Sequence, residues 1–196
     1  MAFIVPIVEG HGEVRALPAL LHRLAVGAPT PLYVNPPFRV RAGSFFNDLD
    51  YFNRYVEAAA IKAAVGRGTV LILLDNEDDC SATLGPRLLQ QALAVRADVA
   101  CIVALAVREY ESWFIHAIRS LEGLHGIGQV EPPLDPDGFR DAKGWLSRQM
   151  RYAYDPVQHQ ADFTRQMDLE AAQRSPSFHR LCERMRPVLF APDAGQ

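Results

Sequence analysis

Three short apolar runs separated by helical patterns predict a buried β-sheet. The runs cover residues 3–8, 69–74 and 99–107. None of them alternates between apolar and polar positions, which is typical of strands covered on both faces. Between the runs, residues 13–26 and 47–65 carry apolar side chains at helical spacing. This alternation predicts an α/β fold with a parallel-rich sheet flanked by helices.

The rest of the chain divides at a loop rich in glycine and proline. Residues 32–40 predict an edge strand interrupted by Asn35-Pro36-Pro37, or an extended loop, and residues 83–95 predict a further helix. Beyond residue 138 only helical patterns remain, over residues 139–152, 156–166, 168–174 and 176–187. We therefore predict three parts: an α/β domain over residues 1–122, a linker or loop over 123–138, and a helical C-terminal region over 139–190.

Acidic side chains follow all three apolar runs. The second run ends in Asp75 and an acidic segment, the first ends in Glu9, and Glu109 and Glu111 follow the third. Ligands of open α/β sheets bind beyond the carboxyl ends of the strands. Neighbouring strands lie about 4.8 Å apart, so Glu9 and Asp75 can reach a common ion if their strands are adjacent.

Clustered carboxylates at a sheet edge favour a hard divalent cation, Mg²⁺ or Mn²⁺. Two such ions about 4 Å apart can hold a phosphodiester and activate a water molecule. The alternative is that each acidic segment only caps the following helix. Helix capping alone could explain one such segment. It explains less well why all three strands are followed by acids. The predicted metal ligands are Glu9, Glu13, Asp75, Glu77, Asp79 and Glu109, and Asp78 and Glu111 belong to the same segments.

The first and second acidic segments resemble a known pattern. Residues 9–13 read Glu-Gly-His-Gly-Glu, and the later strand ends in Asp75-Asn76-Glu77. A strand ending in Glu-Gly-x-x-Glu and a later one ending in Asp-x-Asp resemble a Toprim domain. That domain is shared by topoisomerases, bacterial primases, small ribonucleases and the overcoming-lysogenization-defect nucleases. Glu77 departs from the second aspartate of the pattern and changes its geometry, and Asp78 is an alternative ligand.

More narrowly, the chain resembles the Toprim-like domain of unknown function 4276. The matching segments are residues 7–10, 74–80, 108–114 and 175–178, and the resemblance extends over residues 3–188. The resemblance to Toprim nucleases implies that Glu9 is a metal ligand or the general acid/base and that Asp75 and Glu77 are metal ligands. It also implies a further glutamate of the first motif, a carboxylate after the later strand and a lysine beyond it.

Three other residues are candidates for the same site. Lys143, a downstream lysine, could neutralise transition-state charge as a catalytic residue, or it could be an ordinary solvated helix lysine. His11, flanked by two glycines, could contact the phosphate of a substrate or be a simple turn residue. Arg108 could bind that phosphate or pair with Asp75 or Glu109.

Composition limits the classes of function. The formal net charge is −3, so no global basic field attracts nucleic acid. The three cysteines are too few and too scattered for a zinc site or a disulfide framework, and their odd number fits a reducing cytoplasm. No segment approaches 18 uncharged apolar residues, so we expect no membrane span and a cytoplasmic location.

Two functions follow from the sequence. The first is a Mg²⁺- or Mn²⁺-dependent nuclease that hydrolyses DNA or RNA; the resemblance adds a role in phage defence and a separate ATPase subunit. The second is a non-catalytic interaction subunit of an assembly with such an ATPase. A homo-oligomer is compatible with both. Strand chemistry of the topoisomerase type needs a nucleophilic tyrosine, and no tyrosine of the sequence stands out for that role.

Overall fold

The sheet has five strands, and all of them are parallel. The computed structural model describes residues 1–76 and 81–191, so Glu77 and Asp79 of the predicted ligand set lie outside the described residues. The strands run in the order β2-β1-β4-β5, and β3 pairs with β1 beside β2. Their bounds are β1 Ala2–Val8, β2 Leu32–Val34, β3 Phe38–Arg39, β4 Thr69–Asn76 and β5 Ala100–Val107. The predicted α/β fold with a parallel sheet flanked by helices is confirmed.

The edge strand beside β1 is interrupted, as its sequence predicts. Ala2 to Ile4 pair with β2, and Ile7 and Val8 pair with β3. The segment Asn35-Pro36-Pro37 separates the two pieces. Proline has no N–H group to donate, so it breaks the ladder of hydrogen bonds at this point.

The helices follow the predicted order with shorter bounds in places. Their bounds are α1 Glu13–Leu24, α2 Ala42–Asn47, α3 Leu49–Val65, α4 Ser81–Val95, α5 Ser112–His116, α6 Ala142–Gln149, α7 Ala161–Gln166, α8 Leu169–Ala172 and α9 Pro176–Leu189. Short 3₁₀ turns cover Ile118–Leu121, Leu124–Gly126 and Pro136–Gly138. No helix in the described ranges is long and apolar enough to cross a lipid bilayer.

Capping residues explain the shorter bounds. The helix predicted over residues 47–65 is divided because Asp48 caps α3, its side chain accepting a hydrogen bond from the Tyr51 N–H. The side chain of Asp141 caps α6 in the same way by accepting from the Gly144 N–H. The helix predicted over residues 156–166 consists of a π-helical turn, Pro156–Gln160, followed by α7.

Both faces of the sheet are covered. On one face, Val5, Ile7 and Ile72 pack with residues of α3 and α4 such as Phe52 and Leu88. The alternating positions belong to a second cluster on the other face, as expected from the two-residue period of a strand. That cluster contains Ile4, Val8, Leu71 and Leu73 together with Trp113, Phe163 and Phe178 of the later helices.

The C-terminal helices are therefore part of the covering of the sheet. Trp113, Phe163 and Phe178 are fully buried, and the Trp113 Nε1–H donates to the Ser177 hydroxyl over 2.9 Å. This packing brings residues after 140 towards the carboxyl ends of the strands. The predicted boundaries of the three parts of the chain stay a prediction.

We expect Gly12→Ala to destabilise the protein by about 1–3 kcal/mol, the usual range for overpacking. An added Cβ would lie 2.1 Å from the Gln160 Oε1 and 2.6 Å from the Pro156 carbonyl oxygen, so the π-helical turn would have to shift. Urea denaturation measures the loss. Gly43→Ala is the control, because a Cβ at that helical position meets nothing within 4 Å. Equal stabilities of the two variants would contradict the prediction.

Candidate active site

The strand register brings the three acidic segments to one edge of the sheet. Strand β4 lies between β1 and β5, with Leu73 opposite Val8 on one side and Ala104 on the other. Glu9 follows Val8 directly, and Glu109 follows β5. The carboxyl ends of three adjacent parallel strands therefore deliver acids to the same place.

Asp75 is the acid at the centre of this edge. Its side chain is 15% exposed, and its Oδ1 accepts a hydrogen bond from the Tyr110 N–H over 2.8 Å. Burial raises the pKa of Asp75 well above its ordinary value, and the negative charges of Glu13, Glu111 and Glu9 raise it further. Acids from all three segments thus lie within electrostatic reach of one another.

Glu13 holds the turn that follows β1. Its Oε2 accepts hydrogen bonds from the N–H groups of Glu9, over 3.0 Å, and Gly10, over 2.8 Å. Burial raises the pKa of Glu13, the charge of Glu9 adds to the rise, and the two backbone hydrogen bonds oppose it. Glu9 is half-buried at the end of the strand, and His11 is exposed in the same turn.

Lys143 enters the site from the first turn of α6. Its Nζ lies 2.7 Å from the Glu109 Oε1, 3.2 Å from the Glu111 Oε2 and 4.0 Å from the Asp75 Oδ2. Its backbone N–H also donates to the Glu109 Oε2 over 3.1 Å. Burial by itself lowers the pKa of Lys143, but the charges of Glu111, Asp75 and Glu109 outweigh it and raise the pKa. Lys143 is therefore a cation held among acids, and not an ordinary solvated helix lysine.

Glu111 is the deepest acid of the site. Its side chain is fully buried, and its Oε1 accepts hydrogen bonds from the Tyr154 hydroxyl over 3.0 Å and the Gln160 Nε2 over 3.3 Å. Its Oε2 makes no hydrogen bond and faces the Lys143 ammonium. Burial raises the pKa of Glu111 to about 7, with Lys143 opposing the rise.

Arg108 connects β5 to the acidic residues through an unusual backbone conformation. Its φ of 60° lies in the left-handed region, which few residues other than glycine adopt. Its N–H donates to the Asn76 carbonyl over 3.0 Å, which continues the β4–β5 pairing by one residue. The chain then turns. Glu109 supplies a carboxylate to Lys143, and Tyr110 supplies an N–H to Asp75.

Sequence reasoning identified part of this arrangement and missed part of it. Glu111 stood beside Glu109 in the sequence but outside the predicted ligand set. Tyr154 and Gln160 were missed, since they lie 43 and 49 residues from Glu111 along the chain. Their spacing carries no signal, and only the packing of the C-terminal helices places them here.

The residues fit a cation, although the described part does not form a complete metal site. Within residues 1–76 and 81–191, no group of three or more His, Cys, Asp or Glu side chains is arranged to hold a metal ion. The donors are all hard oxygens, and the Lys143 ammonium already stands as a cation among three of them. A metal held by Glu9 and Asp75 would need further ligands, and Glu77, Asp78 and Asp79 are the acids that follow Asp75 along the chain.

We expect Glu111→Gln to flatten the pH dependence of stability. The pKa of Glu111 rises on folding to about 7, so its contribution is complete below the ordinary value of 4.5. That contribution is lost as the pH rises through about 7, at a total cost on the order of 3 kcal/mol. Urea denaturation from pH 4 to 8 in EDTA measures the effect. Exposed Glu170→Gln is the control, and equal pH slopes of the two variants would refute the prediction.

The fold and this edge define an α/β protein with an all-parallel sheet whose carboxyl end carries a buried acidic cluster. The chain belongs to the family described as domain of unknown function (DUF4276), whose profile matches residues 8–186. The match extends over all the strand ends and helices that form the site. Neither the curated proteins nor the solved structures gave a match to this chain.

Proposed function

We propose that the protein is a divalent-metal-dependent phosphodiesterase that hydrolyses DNA or RNA. The observation that carries the proposal is the convergence of carboxylates from three strand ends on one edge, beside a single ammonium group. Burial, and after it repulsion from neighbouring acids, raises the pKa of Asp75 and Glu13. A divalent cation would relieve that repulsion, and a phosphodiester is a natural partner for such an ion.

Each residue has a role in the proposed reaction. Glu9 and Asp75 would hold the metal, together with Glu77 and Asp79. A bound metal of this class supplies an activated water and stabilises negative charge on the reacting phosphate. Lys143 places a permanent positive charge beside the same phosphate, where it stabilises the transition state. Glu13 fixes the turn that presents Glu9.

Three further residues orient the site or bind substrate. Glu111 positions Lys143, since Tyr154 and Gln160 hold its Oε1 and leave the Oε2 facing the ammonium. His11 and Arg108 lie at the strand ends, where they would contact substrate phosphates.

A cutting assay tests the proposal. Purified protein is incubated with end-labelled single-stranded and duplex DNA and RNA in Mg²⁺, in Mn²⁺ or in EDTA. We expect cleavage with at least one metal and none in EDTA. Absence of cutting on every substrate with both metals, by protein that is folded, would overturn the proposal.

A specific observation favours a second candidate, a non-catalytic interaction subunit. Lys143 already forms ion pairs with Glu109 and Glu111, so the acidic cluster would be a structural ion-pair network. The resemblance to Toprim nucleases supports a separate ATPase as the partner and a role in phage defence inside the cytoplasm. This candidate predicts protein that never cuts and whose partner binding is unaffected by Asp75→Asn.

A further inference from the structure

A basic aromatic surface lies on the outer side of β3 and α3. We define it by Phe38 and Arg39 of β3, by Arg41 at the start of α2, and by Tyr51, Arg54, Tyr55 and Lys62 of α3. The Arg41 N–H donates to the Tyr51 hydroxyl over 3.2 Å, so the start of α2, which follows β3, is joined to α3 at this surface. None of these residues takes part in the acidic site.

Aromatic rings and cations lie against one another on this surface. The rings of Tyr51 and Tyr55 lie 4.7 Å apart between centroids. The Arg54 guanidinium lies over both, 5.2 Å from the first ring centroid and 5.6 Å from the second. Further along α3, the Lys62 Nζ lies 4.9 Å from the centroid of the Phe38 ring. Flat rings and guanidinium planes of this kind are surfaces on which nucleobases stack.

The surface is positively charged although the chain as a whole has a net charge of −3. Arg39, Arg41, Arg54 and Lys62 are all exposed. The hydrogen bond with Tyr51 is the main cause of a raised pKa at Tyr55, and the charges of Arg54 and Arg39 act against it, so both guanidinium groups lie near this hydroxyl.

The nearby acids cancel only part of this charge. Asp48 accepts the hydrogen bond that caps α3, and Glu57 pairs with Arg96. Asp50 is exposed in the first turn of the helix. Four cations therefore face solvent beside few competing carboxylates.

The basic aromatic surface borders the acidic site. Strand β3 pairs with the carboxyl end of β1, so Arg39 lies opposite Val8. Glu9 directly follows Val8, the last residue of β1, and paired strands are about 4.8 Å apart. A chain of phosphates that contacts Arg39 would thus continue directly to the carboxyl edge of the sheet.

We propose that the basic aromatic surface binds single-stranded nucleic acid and leads it to the acidic site. This inference rests on the proposed function and specifies its substrate class. Arginine side chains neutralise the phosphates, and Tyr51, Tyr55 and the Arg54 guanidinium stack against bases. Stacking of this kind requires unpaired bases, because the faces of paired bases are covered inside a duplex.

Binding in EDTA tests the inference without any cutting. Fluorescence anisotropy measures the affinity of the full chain for a labelled 12-nucleotide single strand and for the corresponding duplex. The test variant is Arg39→Ala with Arg54→Ala, and the matched control is Arg174→Ala with Arg186→Ala, two exposed arginines of the C-terminal region. Lys62→Glu, at an exposed position, is a second test variant.

We expect the wild-type chain to prefer the single strand. Both test variants should bind the single strand more weakly, the double variant Arg39→Ala with Arg54→Ala by about tenfold or more. The slope of log affinity against log salt should become shallower by about 1.4, since two phosphate contacts of a single strand are lost. The control should stay within twofold of the wild type. Equal losses in test and control variants, or equal affinity for single strand and duplex, would overturn the inference. A chain that binds single strands as expected but never cuts nucleic acid would refute the proposed nuclease function. The inference that this surface binds single strands would still hold.

Discussion

Asp75→Asn should lower metal-dependent cutting by at least about 100-fold, the scale expected when a group that organises transition-state charge is removed. Asparagine keeps an oxygen for the hydrogen bond from the Tyr110 N–H, so the strand end retains its structure. It cannot carry the negative charge that a divalent cation requires. Initial rates at saturating Mn²⁺ measure the effect, and Mn²⁺ should no longer raise the melting temperature of the variant.

The same substitution should stabilise the metal-free protein. The pKa of Asp75 is raised by burial and by Glu13 and Glu111, so its charged form is unfavourable in the folded state at neutral pH. Asp98→Asn is the control: Asp98 precedes β5 at the opposite edge of the sheet, is 64% exposed and pairs with Arg96. Cutting by Asp75→Asn at a rate close to that of the control would refute the assigned role.

Lys143→Met should destabilise the protein by about 2–4 kcal/mol at neutral pH. The substitution removes the only cation that contacts Glu109 and Glu111 among the described ion pairs, and Glu111 is fully buried. Removing one partner of a buried pair leaves an uncompensated charge, typically at a cost of about 3–5 kcal/mol. The cost is smaller here because the lysine side chain is 36% exposed. Urea denaturation at pH 7 and low salt measures it.

A second substitution separates charge from packing. Lys143→Met combined with Glu111→Gln should recover at least half of the lost stability, because no uncompensated charge then remains at the buried position. Lys62→Met is the matched control, since Lys62 is the other lysine of the chain and lies exposed over the Phe38 ring. It should cost about 1 kcal/mol or less. A double variant as unstable as Lys143→Met alone would show that the loss comes from packing.

The sequence determined the sheet and the direction in which its acids point. Short apolar runs without alternation predicted strands covered on both faces, and Pro36 and Pro37 predicted an interrupted edge strand or an extended loop. Because parallel strands end at a common edge, the acids after residues 8, 74 and 107 were expected at that edge, near one another if their strands were neighbours. These are local rules, acting within a few residues or between neighbouring strands, so the sequence alone carries them.

The tertiary structure decided which groups surround those acids. The sequence offered Lys143 both as an ordinary solvated helix lysine and as a catalytic cation, and the placement of α6 against the sheet brings its ammonium within 4.0 Å of three carboxylates. Burial of Glu111 and its hydrogen bonds with Tyr154 and Gln160 likewise arise from packing between segments more than 40 residues apart. Pattern rules read only local spacing, whereas these contacts depend on how the C-terminal helices cover one face of the sheet.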